Sequence, residues 1–244
     1  MIDLSIITAT LNAKDNIEKR ISEYGKSLES VGIEWVIQDS LSSIDDLTKV
    51  ALPAYASLYK SADTGIYSAL NIAINSAKGR WILILGSDDL INVSQVNLLL
   101  QALNDTSDDT IVLLTYCLVD SNSQLLVQPK SPKRYHFYKG MPVSHQCILA
   151  PKKLFEFKSF DLDFKFAADM DWLLYFYLKG VKFRILQSSI PFVSMSLHGI
   201  SSQLSYRPHI CREFILILRK YQFSPFELLY LRLSYLKSAI KSIP

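Results

Sequence analysis

Trp81-Ile82-Leu83-Ile84-Leu85 is an unbroken apolar run that passes directly into Gly86-Ser87-Asp88-Asp89. A strand that is apolar on both faces must be covered on both faces, which is the situation of a strand inside a parallel sheet flanked by helices. The preceding residues 66–77 carry Ile66, Leu70, Ala73, Ile74 and Ala77 on one stripe, which predicts a helix, with Gly79 as a left-handed stop after Lys78. Helix, tight turn and buried strand together describe a repeating α/β unit. Its strand would deliver two adjacent carboxylates to its carboxyl end.

The same pattern occurs upstream. Leu4-Ser5-Ile6-Ile7-Thr8 reads as a strand opening on Thr10-Leu11-Asn12, and Ile17, Ile21, Tyr24 and Leu28 then give residues 14–30 a helical period. Glu34 to Ile37 reads as a second strand ending at Asp39, followed by a helix-like stretch near 44–52. A third strand is expected around Leu58-Tyr59, before the loop that holds Asp63-Thr64-Gly65. A helix over about 93–104 and a strand from Ile111 to Tyr116 complete a doubly wound half, in which ligands sit outside the carboxyl ends of the strands. The second half is less regular: hairpin-like pieces over 118–150, an aromatic-rich helix over 168–178, strands at Lys182–Leu186 and Ile190–Met195, and two helices over 209–242 parted by Ser224-Pro225.

Composition narrows the function classes. With 244 residues, 49% hydrophobic and 20% charged, the chain suits one large α/β domain and excludes a disordered or low-complexity one. The net charge of +3 is uneven: residues 207–244 carry seven Lys and Arg against two Glu, a surplus of +5, which leaves the remainder at −2. A nucleic-acid binder would carry a basic stripe across its main domain, and this chain does not. Cys117, Cys147 and Cys211 are widely spaced, without a C-x-x-C or a His/Cys cluster, so neither a disulfide framework nor a structural zinc site is expected and a cytosolic, reducing setting is. The N-terminus lacks a basic region followed by an apolar core, and no run approaches the roughly 18 apolar residues of a membrane span.

Asp88-Asp89 is the strongest chemical signal, since paired carboxylates at the mouth of a buried strand suit a hard divalent cation; the competing reading is that one of them caps the next helix. Asp39 and Asp63 also stand just beyond candidate strands and would meet the same edge if those strands are neighbours. Several acids on one edge are costly unless a cation, a ribose or backbone donors receive them.

Four blocks make the chain resemble a family-2 glycosyltransferase with the GT-A fold, of the kind that builds bacterial surface polysaccharides. Ser5-Ile6-Ile7-Thr8-Ala9-Thr10-Leu11-Asn12 is similar to the family's opening strand and Thr-x-Asn loop, and Asp39 stands at its base-binding aspartate. Asp63-Thr64-Gly65-Ile66-Tyr67-Ser68-Ala69-Leu70-Asn71, continuing through Gly79-Arg80-Trp81 to Ser87-Asp88-Asp89, matches its Asp-x-Gly-Ile-Tyr-x-Ala-x-Asn and Asp-Asp blocks. His145-Gln146 and Ala168-Asp169-Met170-Asp171-Trp172 resemble its acceptor-side segments. The likeness spans about residues 3–202.

The resemblance implies a mostly parallel central sheet flanked by helices: a catalytic domain over 1–205, with a nucleotide-sugar half (about 1–116) and an acceptor half (about 117–205), and a helical tail over 206–244. It implies that Asp88 and Asp89 hold Mn2+ or Mg2+ against the diphosphate of a nucleotide sugar, stabilising the leaving nucleotide. Asp39, with Thr8, Thr10 and Asn12, would receive the base, Asp63 the ribose or sugar, and Asn71 would pack or cap. His198 in His198-Gly199-Ile200-Ser201-Ser202 would touch the metal or pyrophosphate. Inversion needs a base on the face opposite the leaving group, and Asp169 is the expected one, with Asp171 second; the alternative for Asp169 is a helix cap. His145 reads either as a hydrogen-bonded core residue or as part of the acceptor site.

Departures from the family pattern are Ala9 in place of proline, Leu11 in place of an aromatic, and a glycine-free Ser40-Leu41-Ser42-Ser43-Ile44-Asp45-Asp46 after Asp39. The Gln-x-x-Arg-Trp signature of processive synthases is absent, so one sugar per event is expected. In the tail, Phe226, Leu229, Leu233, Leu236 and Ile240 oppose Glu227, Ser234, Ser238 and Lys241, which is expected to pack the helix on the domain and leave basic residues for anionic lipid at the inner membrane face. The function expected is single-sugar transfer to a glycan acceptor, lipid-linked, in polysaccharide or O-antigen biosynthesis. The alternatives are a nucleotidyltransferase, against which the missing basic triphosphate loop stands, and a nucleotide-sugar-binding protein without turnover. A Rossmann dehydrogenase is disfavoured by the absence of Gly-x-Gly-x-x-Gly after the first strand.

Overall fold

In the computed structural model the described residues are 2–29, 31–42, 47–120, 123–196 and 204–241, with side chains of the last helix described to residue 233. Seven strands form the main sheet: β1 (Leu4–Thr10), β2 (Ile33–Asp39), β3 (Ala56–Lys60), β4 (Trp81–Ile84), β6 (Thr110–Leu114), β9 (Ile148–Pro151) and β10 (Lys182–Leu186), in the order β10-β6-β9-β4-β1-β2-β3. All pairings are parallel except the two made by β9. A second sheet has the order β5-β11-β7-β8, from β5 (Leu90–Ile91), β7 (Tyr116–Asp120), β8 (Ser123–Val127) and β11 (Val193–Ser196). The mixed α/β fold agrees with the sequence-based expectation.

Alternation along the strands explains the unbroken apolar runs. Ile7, Ile82 and Ile84 enter one core cluster with helices α2 (Ile66–Ser76), α5 (Lys152–Phe157), α6 (Ala168–Leu178) and α7 (Arg207–Lys220). Leu4, Ile6, Trp81, Leu83 and Leu85 enter the other with α1 (Lys14–Tyr24) and α3 (Val96–Asn104). Each face therefore buries its own set of side chains, and a one-residue slip of β4 would exchange them. α7 contributes Ile210, Phe214, Ile217 and Leu218 to the first cluster, so the start of the tail shares the core of the domain.

Several local expectations are corrected. Gly79 is not left-handed: α2 ends at Ser76 with Ala77 as its C-cap in extended geometry, and Gly79 is absent from the positive-φ residues. Glycine is needed there because a Cβ would lie 2.5 Å from the Ser5 backbone nitrogen and 2.8 Å from the Leu4 carbonyl carbon. The buried Glu34 carboxylate fastens the same junction, accepting from Ser5 Oγ (2.6 Å), Gly79 N (3.2 Å) and Lys78 N. Gly79→Ala is expected to destabilise the protein by at least about 2 kcal/mol, because the clash is with backbone that cannot yield; a denaturant midpoint equal to wild type would refute this.

The first helix stops at Tyr24 rather than continuing to 30, because Gly25 turns the chain with φ +50° while its N–H caps Ile21 O. Near 44–52 the described part is a single 3₁₀ turn, Leu47–Lys49, ahead of Pro53, with Leu47 plugging the core. The strand expected to run from Ile111 to Tyr116 divides at Thr115, where the chain leaves the main sheet for the second one. In α8 (Pro225–Lys241) the expected packing stripe is the exposed one. Phe226, Leu229 and Leu233 are exposed while Leu231 is fully buried and Leu228 packs on the core, since Phe223 and the Arg134–Glu227 ion pair dock the helix along a different face.

Candidate active site

Four parallel strands, β4-β1-β2-β3, lie side by side and end at one edge, so the loops holding Asp88 and Asp89, Thr10 and Asn12, Asp39 and Asp63 rise from neighbouring strand ends. The convergence expected of the acidic positions follows from that order.

After β4 the chain turns at Gly86, where a Cβ would lie 2.9 Å from Asp88 Oδ1 and 2.9 Å from Asp89 Oδ2. Both carboxylates thus lean over a backbone that only glycine leaves open. Asp88 faces solvent, whereas Asp89 is 3% exposed and accepts from Gly86 N (2.8 Å) and Ser196 N (3.3 Å). Burial raises the Asp89 carboxyl above its ordinary range; the Gly86 N–H opposes this and the Asp88 charge adds to it. A cation between the two would remove that repulsion, so oxygen type, charge and the open Gly86 face fit a hard divalent ion. Among the described residues no three or more His, Cys, Asp or Glu side chains group to hold a metal, so ligand oxygens would have to complete the coordination.

The loop is anchored from below by α1. Arg20 Nη1 reaches the carbonyl oxygens of Asp88 and Asp89 (both 3.4 Å) while its Nε pairs with Glu23 (2.9 Å), and Asn16 donates to Ser87 Oγ (3.3 Å). Arg20 is 7% exposed on the buried stripe Ile17–Arg20–Tyr24. A cation on an apolar helix face is the sequence signal that could have found it.

At the ends of β1 and β2, Asp39 is fully buried, its carboxylate accepting from Ser42 N and Ser42 Oγ, with Lys60 Nζ 3.8 Å away. Ser42 Oγ also accepts from Asn12 N (2.8 Å), and Asn12 adopts the left-handed φ of +52° that asparagine tolerates. Among the described residues Thr10 Oγ1, Gln38 Oε1 and Asp63 Oδ2 are buried without a hydrogen-bond partner, and Asp63 Oδ1 accepts from Gly65 N (2.9 Å). Unpaired buried polar atoms at one sheet edge are the mark of a pocket that expects polar ligand groups. Thr8 lies one step deeper: it is 1% exposed and its hydroxyl accepts the Trp35 indole N–H (3.0 Å), so it supports the strand end rather than lining the surface. His198 lies outside the described residues.

Asp169 opens α6 with its carboxylate held from two sides. Tyr67, in the first turn of α2, donates to Oδ1 (3.0 Å), and His145 Nδ1 stands 3.4 Å from Oδ2. Burial, reinforced by the Asp169 charge, holds the Tyr67 phenol well above its ordinary range, so it remains a donor at neutral pH. The Met170 N–H also reaches Oδ1 (2.8 Å), but the N-cap position belongs to Ala167, so the alternative of Asp169 as the helix cap is not what the structure shows. The His145–Cys147 turn packs against β4 and β11, the strands that lead into Asp88-Asp89 and carry Ser196. Asp171 is removed from solvent altogether, bonded to Lys158 (2.8 Å), Lys220 (2.9 Å) and Tyr221 (3.0 Å). Asn71 makes a reciprocal pair with the Phe160 backbone, both bonds 3.0 Å. Tyr67, Arg20 and Ser196 are the residues that sequence reasoning missed.

Residues 5–158 match the model of Glycosyl transferase family 2. The chain belongs to that family. This family-2 chain is 28% identical over 200 residues to "Uncharacterized glycosyltransferase RP339" of Rickettsia prowazekii (strain Madrid E); the match covers 74% of this chain and 60% of that protein. The chain thus spans less than two thirds of that relative's length. The same fold occurs in residues 1–349 of S. aureus TarS in complex with UDP-GlcNAc (TM-score 0.68, 16% identity, 99% of this chain and 74% of that one). It occurs again in the mannosyltransferase PcManGT of Pyrobaculum calidifontis in complex with GDP-Man and Mn2+ (TM-score 0.62, 16% identity, 99% and 76%).

Proposed function

We propose that the family-2 chain is an inverting glycosyltransferase that moves one sugar from a nucleoside-diphosphate sugar to a glycan acceptor. The observation that carries this reading is the Asp169 carboxylate, held by Tyr67 and by His145, whose turn packs on the strands that lead to Asp88-Asp89 and Ser196. Asp39, Thr10 and Asn12 form the base end of the donor pocket, with Thr8 bracing the strand beneath it. Asp63 offers its unpaired oxygen to the ribose or sugar, and His198 is proposed to reach the diphosphate. Mn2+ or Mg2+ held by Asp88 and Asp89 would supply Lewis-acid stabilisation of the leaving diphosphate. Asp169 accepts the acceptor hydroxyl proton, while Tyr67 and His145 keep its oxygens aimed. The complexes of TarS and PcManGT with nucleotide sugars support the donor class by analogy of fold.

Thermal shift against a panel of nucleoside-diphosphate sugars, with and without Mn2+, tests the reading. One donor is expected to raise the melting temperature in a metal-dependent manner and to be turned over. Binding without turnover would favour a nucleotide-sugar-binding protein, and a response confined to nucleoside triphosphates a nucleotidyltransferase.

The acceptor is proposed to be lipid-linked, in bacterial polysaccharide or O-antigen assembly at the inner membrane face. No helix among the described residues is long and apolar enough to cross a membrane, so contact would be made at the surface. Phe226 (84% exposed), Leu229, Tyr230 and Leu233 form an outward apolar face on α8, with exposed Arg232 between them and Lys139 Nζ over the Tyr135 and Tyr230 rings. Aromatic and cationic side chains together suit the headgroup layer of an anionic bilayer. The protein is expected to float with phosphatidylglycerol vesicles and to lose this on Leu229→Asp with Leu233→Asp. Equal flotation of the double variant would refute the surface.

A further inference from the structure

We infer that α7 is a working part of the acceptor site and that Glu213 is its positioning residue, fixing the wall of a cleft that receives a sugar ring of the acceptor. This rests on the function proposed above and adds the element that shapes its acceptor side. A cleft of about 150 Å³ lies between the first turn of α2 and the segment 162–166, lined by Ile66, Tyr67, Leu162, Phe164 and Phe166 together with the polar Ser68. Apolar and aromatic surface beside hydroxyl groups is the combination that accepts a pyranose, whose C–H face is apolar and whose rim carries hydroxyls. Tyr67 lines the cleft and bonds Asp169, so a ring seated there presents its hydroxyls beside the base.

The far wall has no strand or helix of its own, since 161–166 is turn and bend. Its position comes from α7. The Glu213 carboxylate accepts from both Lys165 N and Phe166 N, each at 2.8 Å, and two charge-assisted bonds to consecutive amides fix a backbone segment in place and orientation. The Phe166 ring packs on Tyr206 (5.4 Å) and stacks on His209 (5.6 Å, 25°). At the end of α7, about two turns beyond Glu213, Lys220 joins Asp161 and the buried Asp171 (both 2.9 Å), tying the start of the segment to the helix that bears Asp169. All of these contacts lie beyond residue 158, where the family match ends. They suit an element that shapes the acceptor side.

The test uses the full chain and its Glu213→Ala and Glu213→Gln variants, with a panel of 4-nitrophenyl hexosides as cleft probes followed by saturation-transfer NMR. Donor-induced thermal shift is measured in parallel. At least one hexoside is expected to bind the wild type. Glu213→Ala should weaken it tenfold or more, with faster hydrogen exchange at the Lys165 and Phe166 amides and an unchanged donor shift. Glu213→Gln keeps one acceptor oxygen and places an NH2 against the second amide; it should weaken the hexoside by at least threefold and carries the test if the alanine variant fails to fold. The inference is overturned if no hexoside binds the wild type, if the variants leave its affinity unchanged, or if donor and hexoside binding fall in the same proportion, as a merely structural role would give. Absence of any nucleotide-sugar shift in the wild type would instead sink the proposed function, and the hexoside measurement separates the two failures.

Discussion

Asp169→Asn is expected to lower acceptor-dependent release of nucleoside diphosphate by about 10³-fold while leaving donor binding intact. The amide has nearly the shape of the carboxylate, so Tyr67 can still donate to its oxygen and α6 keeps its first turn. What it lacks is the ability to take a proton from an acceptor hydroxyl. Donor affinity should persist because the carboxylates proposed to meet the donor belong to strand ends and not to α6, and the donor-induced thermal shift measures this directly. Near-normal transfer by Asp169→Asn would remove Asp169 as the base. Loss of donor binding together with transfer would mean that its role is structural.

Asp89→Ala should abolish the Mn2+-dependent part of donor binding, with the metal weakened by more than about 100-fold. Asp89 has the stronger claim of the pair because it is held in place by Gly86 and Ser196 amides, whereas Asp88 faces water. A pH dependence follows with a defined sign. Burial raises the folded Asp89 carboxyl above its unfolded value, so in the metal-free protein its proton stabilises the folded state at low pH, and that contribution is lost as pH rises through the folded value. Metal must displace this proton. The Mn2+-induced rise in melting temperature should therefore be largest near neutral pH and shrink as the solution is made acidic. A shift that is flat in pH, or that survives in Asp89→Ala, would place the metal elsewhere.

Much of this site is carried by local pattern. The block from Asp63 to Asp89 places its acids by chain geometry alone, because a buried strand that ends in Gly-Ser-Asp-Asp can only present them at its mouth. Arg20 was legible in principle as a charge on an apolar stripe. Other features depend on distance in space. Gly79 looks like a helix stop in sequence, yet its reason is the Ser5 backbone 74 residues away. The apolar stripe of α8 does not say whether it faces the core, since that depends on where Phe223 and Arg134 dock the helix.

The sequence by itself determined the α/β architecture, the family and the strand-end placement of the acidic residues, because alternation, helical period and turn chemistry act over a few neighbours. Only the tertiary structure decided that Asp89 turns inward while Asp88 faces out, that Tyr67 and His145 grip Asp169, and that α7 holds the cleft wall through Glu213. These depend on segments as much as 107 residues apart meeting at hydrogen-bond distance, and no short-range pattern encodes such a meeting.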